Sequence, residues 1–258
     1  MELMTFEARR KLSLINRVVL VTAGKGGVGK SVVAASLAIE LASRGMSVGL
    51  LDADVHGFAS HLLLGREGAP VAGKRGLSPI SRRGVRAMGL GFLMGDLPAP
   101  LRGGYKSSLL ESLLAMTDWG PLDYLIVDTP PGTGDEILTL ISLLRGRPRG
   151  FIVVATSSAL SVPVVGRLIE FLRREGEGLI GLVENMAGLF TSRGIEELSE
   201  RYSLRVLVRI PFDPRLEESV TSGKFPEGLS EEFSSSISRL ANEVSSWEGW
   251  EVVSRRSR

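Results

Sequence analysis

The sequence predicts an α/β fold, doubly wound around a mainly parallel sheet. Short β-rich apolar runs alternate with longer helical patterns almost to the end of the 258 residues, the order expected of βαβ units with right-handed crossovers. The runs are close to continuously apolar, which says that both faces of the sheet are covered. A glycine-rich loop lies between the first run and the first helix. In such folds the functional residues cluster there, beyond the carboxyl ends of the strands.

In chain order the strands are RVVLV (17–21), SVGLL (47–51), DYLIV (123–127), FIVVA (151–155), LIGLV (179–183) and RVLVR (205–209). Helical patterns cover 31–44, 104–117, 134–145, 160–174, 194–202 and 213–222. Residues 65–103 break the alternation: they are rich in Gly, Pro and Arg, with β-like pieces around Leu77–Ser81 and Val85–Gly89. They read as an irregular excursion with a hairpin, inside one domain spanning 1–258. Ser230 followed by Glu231 and Glu232 makes a good helix start. Phe233, Ile237, Leu240, Val244 and Trp247 follow at helical spacing, so a last helix at about 230–247 packs on the sheet in preference to lying on a membrane.

Composition narrows the chemistry. An apolar content of 43% supports a full core, and no run of about 18 apolar residues predicts a membrane-spanning helix. The first residues, MELMTFEARRKLSL, lack the apolar core of a secretion signal, so a cytoplasmic location is expected. With no cysteine, the chain alone cannot form a disulfide, a thiolate nucleophile or a Cys-ligated zinc or iron–sulfur site. His56 and His61 have no metal box around them. A net charge of +2 with scattered arginines gives no strong nucleic-acid surface, and the tail Ser254–Arg258 is expected to be solvated.

Gly24-Lys25-Gly26-Gly27-Val28-Gly29-Lys30-Ser31 satisfies G-x-x-x-x-G-K-[ST], with a strand before it and a helix after it. Glycines let backbone N–H groups converge on phosphate oxygens, and the helix N-terminus adds positive potential. Lys30 is then expected on the β- and γ-phosphates of ATP, and the Ser31 hydroxyl on Mg²⁺. Asp128, closing the apolar run DYLIVD, stands where a carboxylate orients the magnesium shell through water. The turn Thr129-Pro130-Pro131-Gly132-Thr133-Gly134 that follows can swing with the γ-phosphate. No glutamate follows Asp128 directly, so water positioning must come from elsewhere. Strand periodicity puts Asp52 and Asp54 on one side if the strand runs on. Asp54 is the candidate for orienting water and Asp52 for the outer magnesium shell, the alternative being that one of them caps a loop.

These motifs together resemble the deviant Walker A ATPases, the group containing MinD, ParA and the Mrp/ApbC proteins. Mrp/ApbC is matched over nearly the whole chain by GKGGVGKS, LLDADVHG, MGLGFLM, LRGG, DWGPLDYLIVDTPPGTGDE, VENMAG and IPFDPRLEESVTSGK, in the family's order. The resemblance implies one P-loop NTPase domain of the MinD/ParA-like type that dimerises around two ATP molecules. It implies that Lys25 reaches across the dimer to the partner's nucleotide, a cation in trans like an arginine finger. It also implies that Asn185 reads the adenine and that the loop at Pro211, Phe212, Asp213 and Pro214 closes on the base.

Two departures stand out. Where the family often carries Cys-x-x-Cys after VENM, this chain reads AGLFTSRG, with Thr191 and Gly194 at those places. An iron–sulfur cluster held by this chain alone is therefore not expected. Val32 replaces a second hydroxyl after Ser31, removing a phosphate contact worth ~1 kcal/mol. The leading expectation is a Mg-ATP-binding, slowly hydrolysing homodimeric ATPase of Mrp/ApbC type that acts as a nucleotide-driven switch on a protein partner, in or near iron–sulfur assembly. The alternatives are a MinD/ParA-like positioning or partitioning ATPase on membrane or DNA, and a module that holds nucleotide without turnover.

Overall fold

The structure is a computed structural model and describes residues 2–55, 57–65, 68–95 and 105–250. His56, the LRGG segment and the tail Ser254–Arg258 lie outside the described residues. The order is α1 (Glu2–Leu12), β1 (Ile15–Ala23), α2 (Lys30–Ser43), β2 (Val48–Asp52), α3 (Ser60–Leu64), β3 (Val71–Gly73), β4 (Gly76–Ser78), β5 (Ile80–Arg82), β6 (Val85–Gly89) and α4 (Leu90–Met94). It continues α5 (Tyr105–Met116), β7 (Leu122–Asp128), α6 (Asp135–Leu143), β8 (Arg149–Ala155), α7 (Val162–Arg174), β9 (Leu179–Ala187), α8 (Gly194–Tyr202), β10 (Val206–Pro211), α9 (Leu216–Thr221) and α10 (Glu231–Ser245).

Eight strands form one sheet in the order β10-β9-β8-β1-β7-β2-β6-β5, parallel except for β5 at its edge. From the central β1 the chain moves to β2 on one side, and from β7 it crosses to β8 on the other. The order reverses around β1, so the crevice at its carboxyl end is where such sheets place a ligand. Helices cover both faces. Val18, Leu20, Leu51, Leu125 and Val127 point into a core closed by α1, α5, α6, α7 and α8. Val19, Val21, Leu50, Ile126 and Val154 point into a second core closed by α2 and α10. That alternation along strands with apolar residues at every position is the double burial expected from the sequence.

α2 packs on the sheet and against the neighbouring α10, so Val33, Ala34, Ala35, Leu37, Ala38 and Leu41 are all buried. Its alanines combine high helix propensity with the small size that close packing on two sides requires. The Ser230 side chain caps α10 by accepting the Phe233 N–H at 3.2 Å, with Glu231 and Glu232 in the first turn. Trp250 is buried and Trp247 packs edge-on against it, with ring centroids 4.8 Å apart. Both aromatics pack against the core, as a last helix docked on the sheet requires. No helix among the described residues is long and apolar enough to cross a membrane.

The described part of the excursion, 68–95, is more ordered than expected. β6 is a member of the main sheet, parallel to β2 with Asp52 opposite Gly89, and β5 folds back on it as the expected hairpin. The five-residue β6 is short and set among Gly and Arg, so its apolar pattern is weak. The piece at 77–81 divides between β4, which pairs with β3, and β5. α1 has no counterpart among the expected helices: its mean hydropathy is low, and it forms because Ala8 and Leu12 dock on the core beside α5. Nor do the five-residue α3 and α4. The helix expected at 213–222 is confined to α9.

Candidate functional site

The glycine loop leaves β1 and enters α2 through Gly29, whose left-handed φ of 79° suits a residue without a Cβ. A Cβ there would also run into Asn185 Nδ2, so the position excludes side chains twice over. Asn185 sits buried in β9 and donates from Nδ2 to the Val28 carbonyl at 2.9 Å, clamping the loop. A Cβ on Gly24 would stand 3.0 Å from the backbone of Val164 and Val165, so that glycine lets α7 approach the loop.

Beneath the loop lies a compact charge cluster. The β2–β7 register sets Asp52 opposite Asp128 at adjacent strand ends. Lys30 is buried, salt-bridges Asp128, and has its Nζ 3.9 Å from Asp54 Oδ2. Asp52 is 2% exposed and caps the following loop: its Oδ2 accepts the Ala59 and Ser60 N–H groups, both at 2.9 Å, and its Oδ1 accepts that of Asp54. Asp54 accepts the Gly57 N–H at 3.0 Å and turns toward the cavity above the loop. The strand does not run on past Asp52, so the two carboxylates part company.

Among the described residues, three carboxylates crowd around the Lys30 ammonium in a largely buried place. Burial pushes the Asp52 carboxyl up to about 7, with the neighbouring Asp128 adding to the shift. Burial also raises Asp128, against the pull of Lys30. Between about pH 4 and about pH 7 the folded chain holds a proton on Asp52 that the unfolded chain has released, so Asp52 makes stability fall as pH rises through that window. Asp52→Asn is expected to flatten this slope in urea unfolding of the nucleotide-free, magnesium-free protein. An unchanged slope would assign the pH dependence to other groups.

Lys30 and Asp54 of this cluster line an open cavity of about 640 Å³, together with Lys25, Gly26, Gly27, Gly29, Ser31 and Val32 of the loop. Lys106, Glu136, Pro130 and Pro131 line the same cavity. Lys106 and Glu136 escape sequence reasoning: 30 residues separate them, and only the packing of α5 beside α6 brings them together, 3.4 Å apart. Lys25 stands at the rim, partly exposed, with no ion-pair partner among the described residues.

Magnesium fits this site by the chemistry of its donors. Asp128 Oδ2 is buried with no hydrogen-bond partner among the described residues, beside the Asp52 carboxylate at the adjacent strand end. No group of three or more acidic or His side chains among the described residues forms a metal cage. Ser31, phosphate oxygens and water would therefore make up most of such an ion's shell, as expected for a cation that keeps its waters. The turn Thr129–Gly134 is tied to β1: the Thr129 N–H and hydroxyl both donate to the Val21 carbonyl at 3.1 Å, and the Gly132 N–H donates to that of Ala23.

The remaining candidates lie at the ends of β9 and β10. Pro211 ends β10, Phe212 is half exposed, and the Phe212 N–H donates to the Ala187 carbonyl at 3.1 Å. Asp213 is committed elsewhere. It accepts the Ser230 N–H at 2.6 Å and a fork from Arg215, joining this loop to the start of α10. Burial raises its carboxyl, but the Arg215 and backbone donors outweigh that and hold it well below the usual range. A base contact at this position would come from Phe212 or the backbone. None of Asn185, Pro211, Phe212 or Asp213 lines the phosphate cavity itself.

A glycine loop opening a helix at the sheet's switch point, its lysine locked to an aspartate ending the next strand, makes this a P-loop NTPase. The fold is of the MinD/ParA type: Pyrococcus furiosus cell division ATPase MinD superposes with a TM-score of 0.65 at 20% identity, over 89% of this chain and 98% of that one. Residues 14–245 match the family model described as ParA, NUBPL iron-transfer P-loop NTPase, and the chain belongs to that family. It is 38% identical over 229 residues to the cytosolic Fe-S cluster assembly factor CFD1 of Eremothecium gossypii, covering 81% of this chain and 82% of the relative. It is 36% identical to an iron-sulfur cluster carrier protein of Methanocaldococcus jannaschii, over 92% and 88%. A nucleotide-binding protein of Archaeoglobus fulgidus, solved with ADP, has 32% identity and a TM-score of 0.75, over 89% and 95%.

Proposed function

We propose that this protein is a Mg-ATP-dependent, slowly hydrolysing ATPase that works as a homodimer and switches a protein partner in iron–sulfur assembly, in the cytoplasm. One observation carries the reading: a buried lysine joins two carboxylates at an open cavity, and a second lysine stands at its rim with no ion-pair partner among the described residues. Lys30 and the backbone N–H groups of Gly24, Gly26, Gly27, Val28 and Gly29 hold the phosphates, with Val32 beside them. Ser31 and Asp128 position magnesium, which when bound neutralises charge on the phosphates. Asp52 braces Asp54 and the outer shell from behind. Asp54, the carboxylate that faces the cavity, orients the attacking water. Asn185, Pro211 and Phe212 sit around the base, with Asp213 fixing their loop. Lys25 serves the partner subunit's nucleotide and stabilises charge in transit.

The cluster is cargo, and this chain has no thiolate to hold it, so the partner supplies the cysteines. Phosphate release with Mg-ATP tests the ATPase reading; no turnover above the Lys30→Ala background would refute it. Anaerobic reconstitution with iron and sulfide tests the cargo reading. The isolated protein is expected to retain no cluster absorbance after desalting, and a tightly bound cluster would overturn it.

A further inference from the structure

The geometry points to Lys106 as a second cation supplied in cis, one that takes the terminal phosphate of a nucleoside triphosphate, with Glu136 as the positioning residue that holds it until that phosphate arrives. The inference rests on the nucleotide reading above. Lys106 stands in the first described turn of α5 and Glu136 in the first turn of α6. Both line the same cavity as the glycine loop, with 24% and 13% of their side chains exposed.

A purely structural role explains Lys106 poorly. The charge of Lys30 is already shared with Asp128 and Asp54, which leaves Lys106 as a further cation on the same cavity. The Lys106–Glu136 contact is a single partly exposed ion pair, of the kind that contributes little to stability. A phosphate dianion offers Lys106 more charge and more acceptor oxygens than one carboxylate. The same dianion repels Glu136. A triphosphate thus favours exchange of Lys106 from carboxylate to phosphate, whereas a diphosphate leaves the pair in place.

The test uses the full chain with Mg²⁺, titrated calorimetrically with ADP and with a non-hydrolysable ATP analogue. Lys106→Ala is expected to weaken the analogue by about tenfold while changing ADP by less than about twofold. Lys106→Arg should restore most of the difference. Glu136→Gln should tighten the analogue by about threefold and leave ADP unchanged. Equal effects on both ligands, or none on either, would make the pair a brace between α5 and α6 and overturn the inference. If Lys106→Ala fails to fold, the arginine and glutamine variants carry the test. Wild-type protein that binds neither ligand would defeat the nucleotide reading itself, whereas wild-type binding with unaltered ATP-to-ADP ratios in the variants defeats only this inference.

Discussion

Lys30→Ala is expected to lower ATP hydrolysis by about 10²–10³-fold, the loss typical of removing one preorganised electrostatic group. It should also destabilise the nucleotide-free fold. Asp128 is fully buried and Lys30 is its ion-pair partner, so the variant leaves a buried charge uncompensated. Such losses run to roughly 3 kcal/mol. The destabilisation should shrink as pH falls, because Asp128 and Asp52 already sit above the ordinary carboxylate range and protonate readily once the lysine is gone. Denaturant unfolding at neutral and mildly acidic pH checks this. A Lys30→Ala protein as stable as wild type at neutral pH would mean that the Lys30–Asp128 bridge contributes nothing to the empty fold.

Lys25→Ala should behave differently. Lys25 sits at the rim with no ion-pair partner among the described residues, so its removal breaks no ion pair there. Stability and nucleotide affinity should stay within about twofold of wild type. Hydrolysis should fall by about 10³-fold, the low end of what a charge delivered in trans supplies. Mixing Lys25→Ala with Asp54→Asn subunits should restore part of the activity, because one composite site in each mixed dimer then keeps both residues. If Lys25→Ala weakened binding and hydrolysis equally, the lysine would belong to its own subunit's cradle.

The phosphate grip is legible in local motifs. Gly24 to Ser31 are consecutive, and Asp128 is announced by the apolar strand that it ends, so the amino-acid order locates both. The carboxylates of β2 are half legible. A period of two assumes that the strand continues, and the chain instead bends after Asp52, burying one carboxylate under a loop and turning the other to the cavity. The pairing of Lys106 with Glu136 leaves no signal, although Glu136 ends a quoted motif, because their meeting depends on how α5 and α6 are packed. Val85–Gly89 reads as β-like, but its place in the main sheet as β6 is hidden by its shortness, and α1 is hidden by its charge; for both, tertiary docking supplies what local propensity lacks.

A dimer assembled by nucleotide is tested most directly by mass in solution. Light scattering during gel filtration with Mg²⁺ and a saturating non-hydrolysable ATP analogue should move the protein toward twice its 27.7 kDa chain mass, relative to the nucleotide-free protein. A chain that binds the analogue and still elutes at 27.7 kDa would contradict the nucleotide-driven switch.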